Sequence, residues 1–197
     1  MEKRLKKELQ INIDEKTGQL FFGDKKKDIK LIMLRPIDVI EFSEFAGTNS
    51  NDILIWVGKS LGKTFMDKFF SSKDWSNESI QTKKGVLLGS LEALELMGYG
   101  HVQGLFKKDH ILIHVEESLA CEERENIMAK NLCLIYQGLF NGLFDVLQID
   151  VEGEEIGCVM LGDPKCTYKF DFIAGEIDDK LVDEESEETV SEFLSTL

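Results

Sequence analysis

The chain has 197 residues and a formal net charge of −14, and this length suggests a single domain. Hydrophobic residues make up 43% of it, which excludes a disordered chain, and no run of about 18 uncharged apolar residues is present to span a membrane. The acidic balance disfavours direct binding of DNA or RNA, because phosphate backbones repel a negative surface.

The first residues of the chain carry charges on both sides of Leu5 and contain no apolar run, so they do not resemble a signal peptide. We therefore expect a cytoplasmic protein. Thiols are kept reduced in the cytosol, so the four cysteines indicate metal binding or simple burial before they indicate disulfides.

The first half of the chain predicts an N-terminal extension over residues 1–29 and the start of a main domain over residues 30–174. In chain order, the patterns predict a hairpin, a buried strand and three helices, at residues 8–13 with 19–22, 31–34, 36–47, about 51–70 and about 78–97. Gly58 and Gly62 stand four residues apart on the second of these helices, where they permit close contact with a neighbouring helix.

The second half predicts another hairpin, a fourth helix and closing strands, at residues 101–106 with 110–115, about 123–144, 146–151, 156–161 and 166–172. This order of elements favours an α+β, sandwich-like fold, in which an antiparallel sheet has helices packed on one side. Residues 175–197 form an acidic tail. Nine acids against one lysine over 176–197 predict loose attachment, with one short helix near 187–197.

The most informative polar pattern is Glu155-x-x-Cys158-x7-Cys166, which lies on the last predicted hairpin and follows Cys133 in the fourth helix. Zinc takes thiolates and carboxylates, usually four in a tetrahedron. Free cysteine is also among the most buried residue types, so these thiols could equally belong to the core. The spacing leaves both interpretations open. Cys121 stands in a polar segment and receives no role.

Other candidates for chemistry are weaker. His101, His110 and His114 lie on the predicted hairpin, and His114 alternates with apolar neighbours, as structural sheet histidines do. The sequence contains no nucleophile elbow, no P-loop and no H-E-x-x-H motif. A closed site of four ligands also lacks the open position that zinc hydrolysis requires. We therefore expect a protein that is not an enzyme.

Four segments carry a resemblance to a known family: Ile55–Gly62, Leu94–Gly100, Val115–Ser118 and, most specifically, the Glu155, Cys158, Gly162-Asp163 and Cys166 ending preceded by Cys133. Over about residues 30–172 they resemble the V4R (4-vinyl reductase) domain family. The resemblance implies an α/β fold shared with TRAPP subunits and haem nitric-oxide-binding domains. It also implies a structural zinc held by Cys133, Glu155, Cys158 and Cys166.

The resemblance further implies a small-molecule-binding module that is often a homodimer. Our candidates for the wall of a pocket between helices and sheet are Trp56, Phe65, Tyr99 and His114. Phenol-sensing members place a pocket histidine in the third helix, where this chain has Gln81–Lys84, and a pocket tryptophan near Val115. Phenol is therefore a poor candidate ligand.

Three hypotheses follow. The leading one is a sensor or carrier domain for a small hydrophobic or aromatic ligand, which passes its signal through a protein partner. A TRAPP-like dimerisation scaffold with a filled interior is the second, and a reductase, for which no nicotinamide or flavin motif is present, is the third. A cavity above about 300 Å3 favours the first hypothesis, and a packed interior with a large apolar helix face exposed favours the second.

Overall fold

The computed structural model describes residues 9–23, 30–69, 74–173 and 175–183. Four helices and seven strands define the fold in this part of the chain. The helices are α1 (Pro36–Ala46), α2 (Ser50–Phe69), α3 (Ile80–Leu96) and α4 (Leu132–Leu147). The strands are β1 (Ile11–Asp14), β2 (Gln19–Phe22), β3 (Lys30–Leu31), β4 (His101–Phe106), β5 (His110–Glu116), β6 (Val151–Gly157) and β7 (Cys166–Phe172).

The N-terminal strands form a small antiparallel sheet in the order β1-β2-β3. The predicted hairpin is confirmed, and Gly18 takes the left-handed conformation that its turn requires. The predicted buried strand at 31–34 is wrong. It ends at Leu31, and Ile32, Met33 and Leu34 are 83%, 82% and 63% exposed, because the chain leaves this sheet there and runs to Pro36, where α1 begins.

The main sheet is antiparallel in the order β4-β5-β7-β6. Its side chains alternate between two faces, and on β5 the residues Ile111, Ile113 and Val115 are fully buried. Helices α3 and α4 pack on this face, whereas His110, Leu112 and His114 point to the other side. The predicted α+β fold, with an antiparallel sheet and helices on one side, is confirmed.

Helices α2 and α4 pack together through glycines. A Cβ on Gly58 or Gly62 would overlap the carbonyl oxygens of Ile135 and Leu139, and a Cβ on Gly138 or Gly142 would overlap carbonyl oxygens of α2. The glycines of each helix therefore allow close backbone contact with the other helix of the same chain. They do not indicate a contact between subunits, and the expectation of a homodimer rests on the family resemblance.

The fourth helix starts nine residues later than the predicted position 123 and ends three residues later than 144. Two 3-10 turns, Leu119–Glu123 and Ile127–Asn131, take the place of its first part. The side chain of Asn126 accepts the backbone N–H of Met128 and so begins a separate turn. The closing strands are likewise β6 and β7 with a 3-10 turn at Val159–Leu161, rather than strands at 146–151 and 156–161.

Residues 175–183 are docked on the domain, so loose attachment is wrong for this part of the acidic tail. Ile177 N–H donates to the Lys108 carbonyl and Asp183 N–H donates to the Phe106 carbonyl, both at 2.8 Å. Leu181 is only 8% exposed. The helix predicted near 187–197 lies outside the described residues. Within the described part of the chain, no helix has the length and apolar content to cross a membrane.

Candidate metal centre

Three elements bring the predicted ligands together. Cys133 lies in the first turn of α4, Glu155 lies on β6, Cys158 follows the end of that strand, and Cys166 is the first residue of β7. Helix α4 is strongly apolar and packs on the sheet, which carries Cys133 to the end of the hairpin. Packing of the helix therefore completes a set whose other three members are close in sequence.

The distances among the sulfur atoms fit a tetrahedral ion. Cys133 Sγ lies 3.7 Å from Cys158 Sγ and 3.9 Å from Cys166 Sγ. Zinc–sulfur bonds of about 2.3 Å at tetrahedral angles place ligand sulfurs about 3.8 Å apart. One ligand atom from each of the four residues lies within 4.8 Å of all the others. These separations are too long for a disulfide, and all four cysteines are free.

Glu155 supplies a second sign of a bound cation. Its Oε1 is buried and has no hydrogen-bond partner among the residues that the structure describes. A buried carboxylate oxygen without a donor is costly. A divalent cation at the centre of the cluster would satisfy this oxygen. The donor set fits zinc better than magnesium or calcium, which take oxygen ligands.

The loop between the two hairpin cysteines has its own internal bonds. Cys158 N–H donates to Asp163 Oδ2 at 2.7 Å, and the Cys158 carbonyl accepts Leu161 N–H at 2.9 Å and Asp163 N–H at 3.2 Å. Gly162 takes a φ of 99°, a conformation that L side chains rarely adopt. Gly162 and Asp163 thus shape the turn that returns the chain to Cys166.

The thiols differ in acidity. The hydrogen bond with Cys166 and burial raise the pKa of Cys133 above its ordinary value. Burial raises the pKa of Cys158 to about 11, whereas the hydrogen bond from Cys133 lowers the pKa of Cys166 to about 7. Cys133 and Cys158 therefore keep their protons at neutral pH, and a bound cation must displace these protons.

Ser118 and Tyr168 lie beside the cluster, and sequence reasoning gave neither of them a role there, although Ser118 ends a segment of family resemblance. Ser118 Oγ lies 3.8 Å from Cys166 Sγ, and the Tyr168 hydroxyl donates to the Cys133 carbonyl at 3.1 Å. Nothing in the spacing of the sequence marks either residue. Cys121 lies 3.7 Å from Ser118 Oγ and is not part of the ligand set.

The structure does not bring the four candidate pocket residues together. Trp56 is 69% exposed on α2 and Phe65 is buried in the core. Tyr99 packs edge-on against Tyr136. His114 lies on the face of the sheet opposite the helices, within 3.1 Å of Thr167 Oγ1. Trp56 and His114 therefore do not line a cavity between helices and sheet.

The space between α4 and the sheet is filled by aromatic rings. Phe140 and Phe144 of the helix pack against Tyr168 and Phe170 of β7, with ring centres 4.7–6.2 Å apart. Two cavities, of about 690 and 610 Å3, are open grooves at the surface. The larger lies beside Lys63, Lys83 and Asp145, and the smaller lies along residues 121–127.

Known proteins match this chain in structure only. No family model matches the sequence, and no curated protein matches it. The phenol-responsive sensory domain of the transcription activator PoxR, bound to phenol, aligns with a TM-score of 0.63 at 15% identity over 98% of this chain and 95% of that one.

H-NOX domains also align. One, from work on haem distortion in that family, gives a TM-score of 0.51 at 17% identity and covers 76% of this chain and 78% of its own. Another, from work on H-NOX activation, gives 0.50 at 17% identity and covers 77% and 80%. The chain therefore shares its fold with the PoxR sensory domain and with H-NOX domains. At these identities the likeness extends to the fold alone.

Proposed function

We propose that this chain is a small-molecule sensor or carrier domain of the V4R type, with a structural zinc at Cys133, Glu155, Cys158 and Cys166. The observation that carries the proposal is the convergence of this ligand set, which is the most specific part of the V4R resemblance. The alignment along nearly all of the PoxR sensory domain supports a sensory role. No catalytic step is assigned to the protein.

The role of the zinc is structural in this proposal. Three thiolates and one carboxylate fill the four positions that zinc normally uses, which leaves no place for a reacting water. The ion would tie the start of α4 to the ends of β6 and β7. Zinc sites of this kind contribute folding free energy directly.

A scaffold without a ligand is the second candidate, and one observation favours it. The interior between α4 and the sheet is filled, since Phe140, Phe144, Tyr168 and Phe170 are at most 1% exposed. A ligand at that position would have to displace side chains. Any small-molecule site must therefore lie in a groove or in a place that the chain itself now occupies.

A ligand screen separates the two candidates. The zinc-bound protein is heated with a panel of phenols, aromatic acids and aliphatic acids, and the unfolding midpoint is recorded. A sensor or carrier is stabilised by at least one class of compound, because ligands that bind only the folded state raise the midpoint. If the whole panel has no effect on zinc-bound protein, the scaffold is favoured.

The homodimer and the protein partner remain part of this proposal. Sedimentation equilibrium in the micromolar range tests the dimer. A single species near 22.4 kDa would contradict it.

A further inference from the structure

Lys84 is a buried cation whose partners lie outside the candidate metal centre. It lies on α3 and is 9% exposed. Its Nζ donates to the Leu181 carbonyl at 2.7 Å, forms an ion pair with Asp183, and lies 5.1 Å from the centre of the Phe106 ring. A buried ammonium requires such partners, because its loss of hydration is otherwise uncompensated.

The Asp183 carboxylate is held at both oxygens. Oδ1 pairs with Lys84 Nζ, and Oδ2 accepts the backbone N–H of Phe106 at 2.9 Å. Both donors belong to the body of the domain, one on α3 and one at the end of β4. Together they form a binding site for one carboxylate. Residues 175–183, here called the C-terminal strap, supply that carboxylate.

The other attachments of the strap include exposed ion pairs. Near its start, Ile177 N–H donates to the Lys108 carbonyl at 2.8 Å. Lys108 also pairs with Glu176 at 3.4 Å and Asp179 at 3.3 Å, but these groups are largely exposed, and such pairs contribute little to stability. The buried contacts at Asp183 and Leu181 therefore hold the far end of the strap.

We propose that Lys84 Nζ and the Phe106 N–H form a binding site for the carboxylate of a small aromatic or apolar acid. The Asp183 carboxylate and the Leu181 carbonyl occupy this site in the structure and therefore compete with the ligand for it. The inference rests on the proposed sensor function and names its class of ligand. An ammonium and an amide offer only donors at this point, which suits an anion better than a neutral phenol.

The surroundings of the carboxylate favour an acid with an apolar body. The Leu181 side chain is buried, and its carbonyl binds the same ammonium as Asp183, so release of the strap uncovers apolar space beside the anion position. The Phe106 ring is fully buried, and its centre lies 6.4 Å from that of Phe172. An aromatic ring beside a cation, itself packed against a second ring, fits a benzoate-like ligand.

Competition between the ligand and Asp183 lets ligand binding change the position of the strap. An acid that takes the place of Asp183 releases the strap, which is followed in sequence by five acids over residues 184–197. Ligand binding and strap docking exclude each other, so the ligand shifts the population towards the released strap. A protein partner can then read the acidic segment.

The test uses benzoate as the probe in calorimetric titration of the zinc-bound protein. We expect Asp183→Asn to bind benzoate about tenfold more tightly than the original chain, because the variant removes the competitor. Lys84→Met should bind at least tenfold more weakly than Asp183→Asn. Lys83→Met is the matched control, since Lys83 is equally buried but donates to the Gln148 carbonyl, and its affinity should equal that of the original chain.

A second readout follows the strap itself. Benzoate should accelerate hydrogen exchange at the amides of Ile177 and Asp183, whereas benzyl alcohol, a neutral analogue, should not. Equal benzoate affinity in the original chain and in Asp183→Asn would overturn the inference. A benzoate affinity of Lys84→Met equal to that of Asp183→Asn would overturn it as well. If Lys84→Met does not fold, the benzoate affinity of Asp183→Asn is compared with that of Glu176→Gln, a variant at an exposed position of the strap. Equal affinities of these two variants overturn the inference.

Zinc content, measured in the same samples, separates this inference from the proposed metal centre. Benzoate binding through Lys84 in a protein without zinc contradicts the metal proposal only. A full equivalent of zinc with no benzoate binding in any variant contradicts this inference only.

Discussion

The carbonyl oxygen of Ile135 points at the position that a Cβ on Gly58 would occupy. The oxygen belongs to the backbone of α4, and the backbone of α2 fixes the Cβ position, so neither can move aside without shifting a helix. We predict that Gly58→Ala lowers the free energy of unfolding by about 3 kcal/mol, at the upper end of the usual range for overpacking. Urea unfolding followed by circular dichroism measures this change.

Gly85→Ala is the matched control. Gly85 lies on α3, and a Cβ there would meet nothing within 4 Å. Alanine at this position should raise the free energy of unfolding by about 0.5–1 kcal/mol, through helix propensity alone. Equal effects of the two substitutions would show that α2 and α4 are not in close backbone contact.

Asp145 joins the same two helices by charge. Its Oδ2 lies 2.9 Å from Lys59 Nζ and 2.7 Å from Lys63 Nζ. Burial acts to raise the pKa of Asp145, but the hydrogen bonds from Lys63 and Lys59 outweigh it and lower the pKa below the ordinary value of 3.8. Since the folded pKa is the lower one, the stabilisation is complete above the unfolded pKa and is lost as pH falls through the folded pKa.

Asp145→Asn should therefore lower the free energy of unfolding by about 0.5–1 kcal/mol at pH 7, a small value because all three side chains are partly exposed. The difference from the original chain should shrink as pH falls below about 4. Urea titrations at several pH values measure it. A difference that grows on acidification would have the wrong sign for this ion pair.

The ligand set is tested by two serine substitutions. Cys158→Ser replaces a thiolate ligand by a hydroxyl, a poor ligand for zinc, so the purified variant should lose most of its metal. Cys121→Ser should keep the metal, because Cys121 lies outside the cluster. Elemental analysis of both proteins decides between the two positions. Equal loss of metal in the two variants would mean that the ligands are assigned wrongly.

Local patterns predicted the elements whose signals are local. The β4–β5 hairpin follows from alternation around a short charged turn, and α1 follows from Pro36, which is favoured at the first helical position. The start of α4 could not be predicted, because 3-10 turns and an α-helix carry similar apolar patterns. The run at 31–34 has no period, so nothing in it distinguishes a buried strand from an exposed one.

Contacts between distant residues escaped the sequence for a different reason. Lys84 and Asp183 are 99 residues apart in sequence. The acidic composition of the C-terminal segment predicts repulsion among its side chains, unless the buried lysine that pairs with Asp183 is known. The glycine spacing predicted a close approach but not which helix would meet it. For the candidate metal centre, local spacing brought together Glu155, Cys158 and Cys166, whereas the position of Cys133 depended on the packing of α4 against the sheet.

The metal content of the purified protein tests the central claim most directly. Gentle purification without chelators, followed by elemental analysis and native mass spectrometry, should find about one zinc per chain, since three thiolates and a carboxylate match that ion. Denaturation should release the metal. A zinc content well under half an equivalent, in protein that is folded and has reduced thiols, would contradict the account.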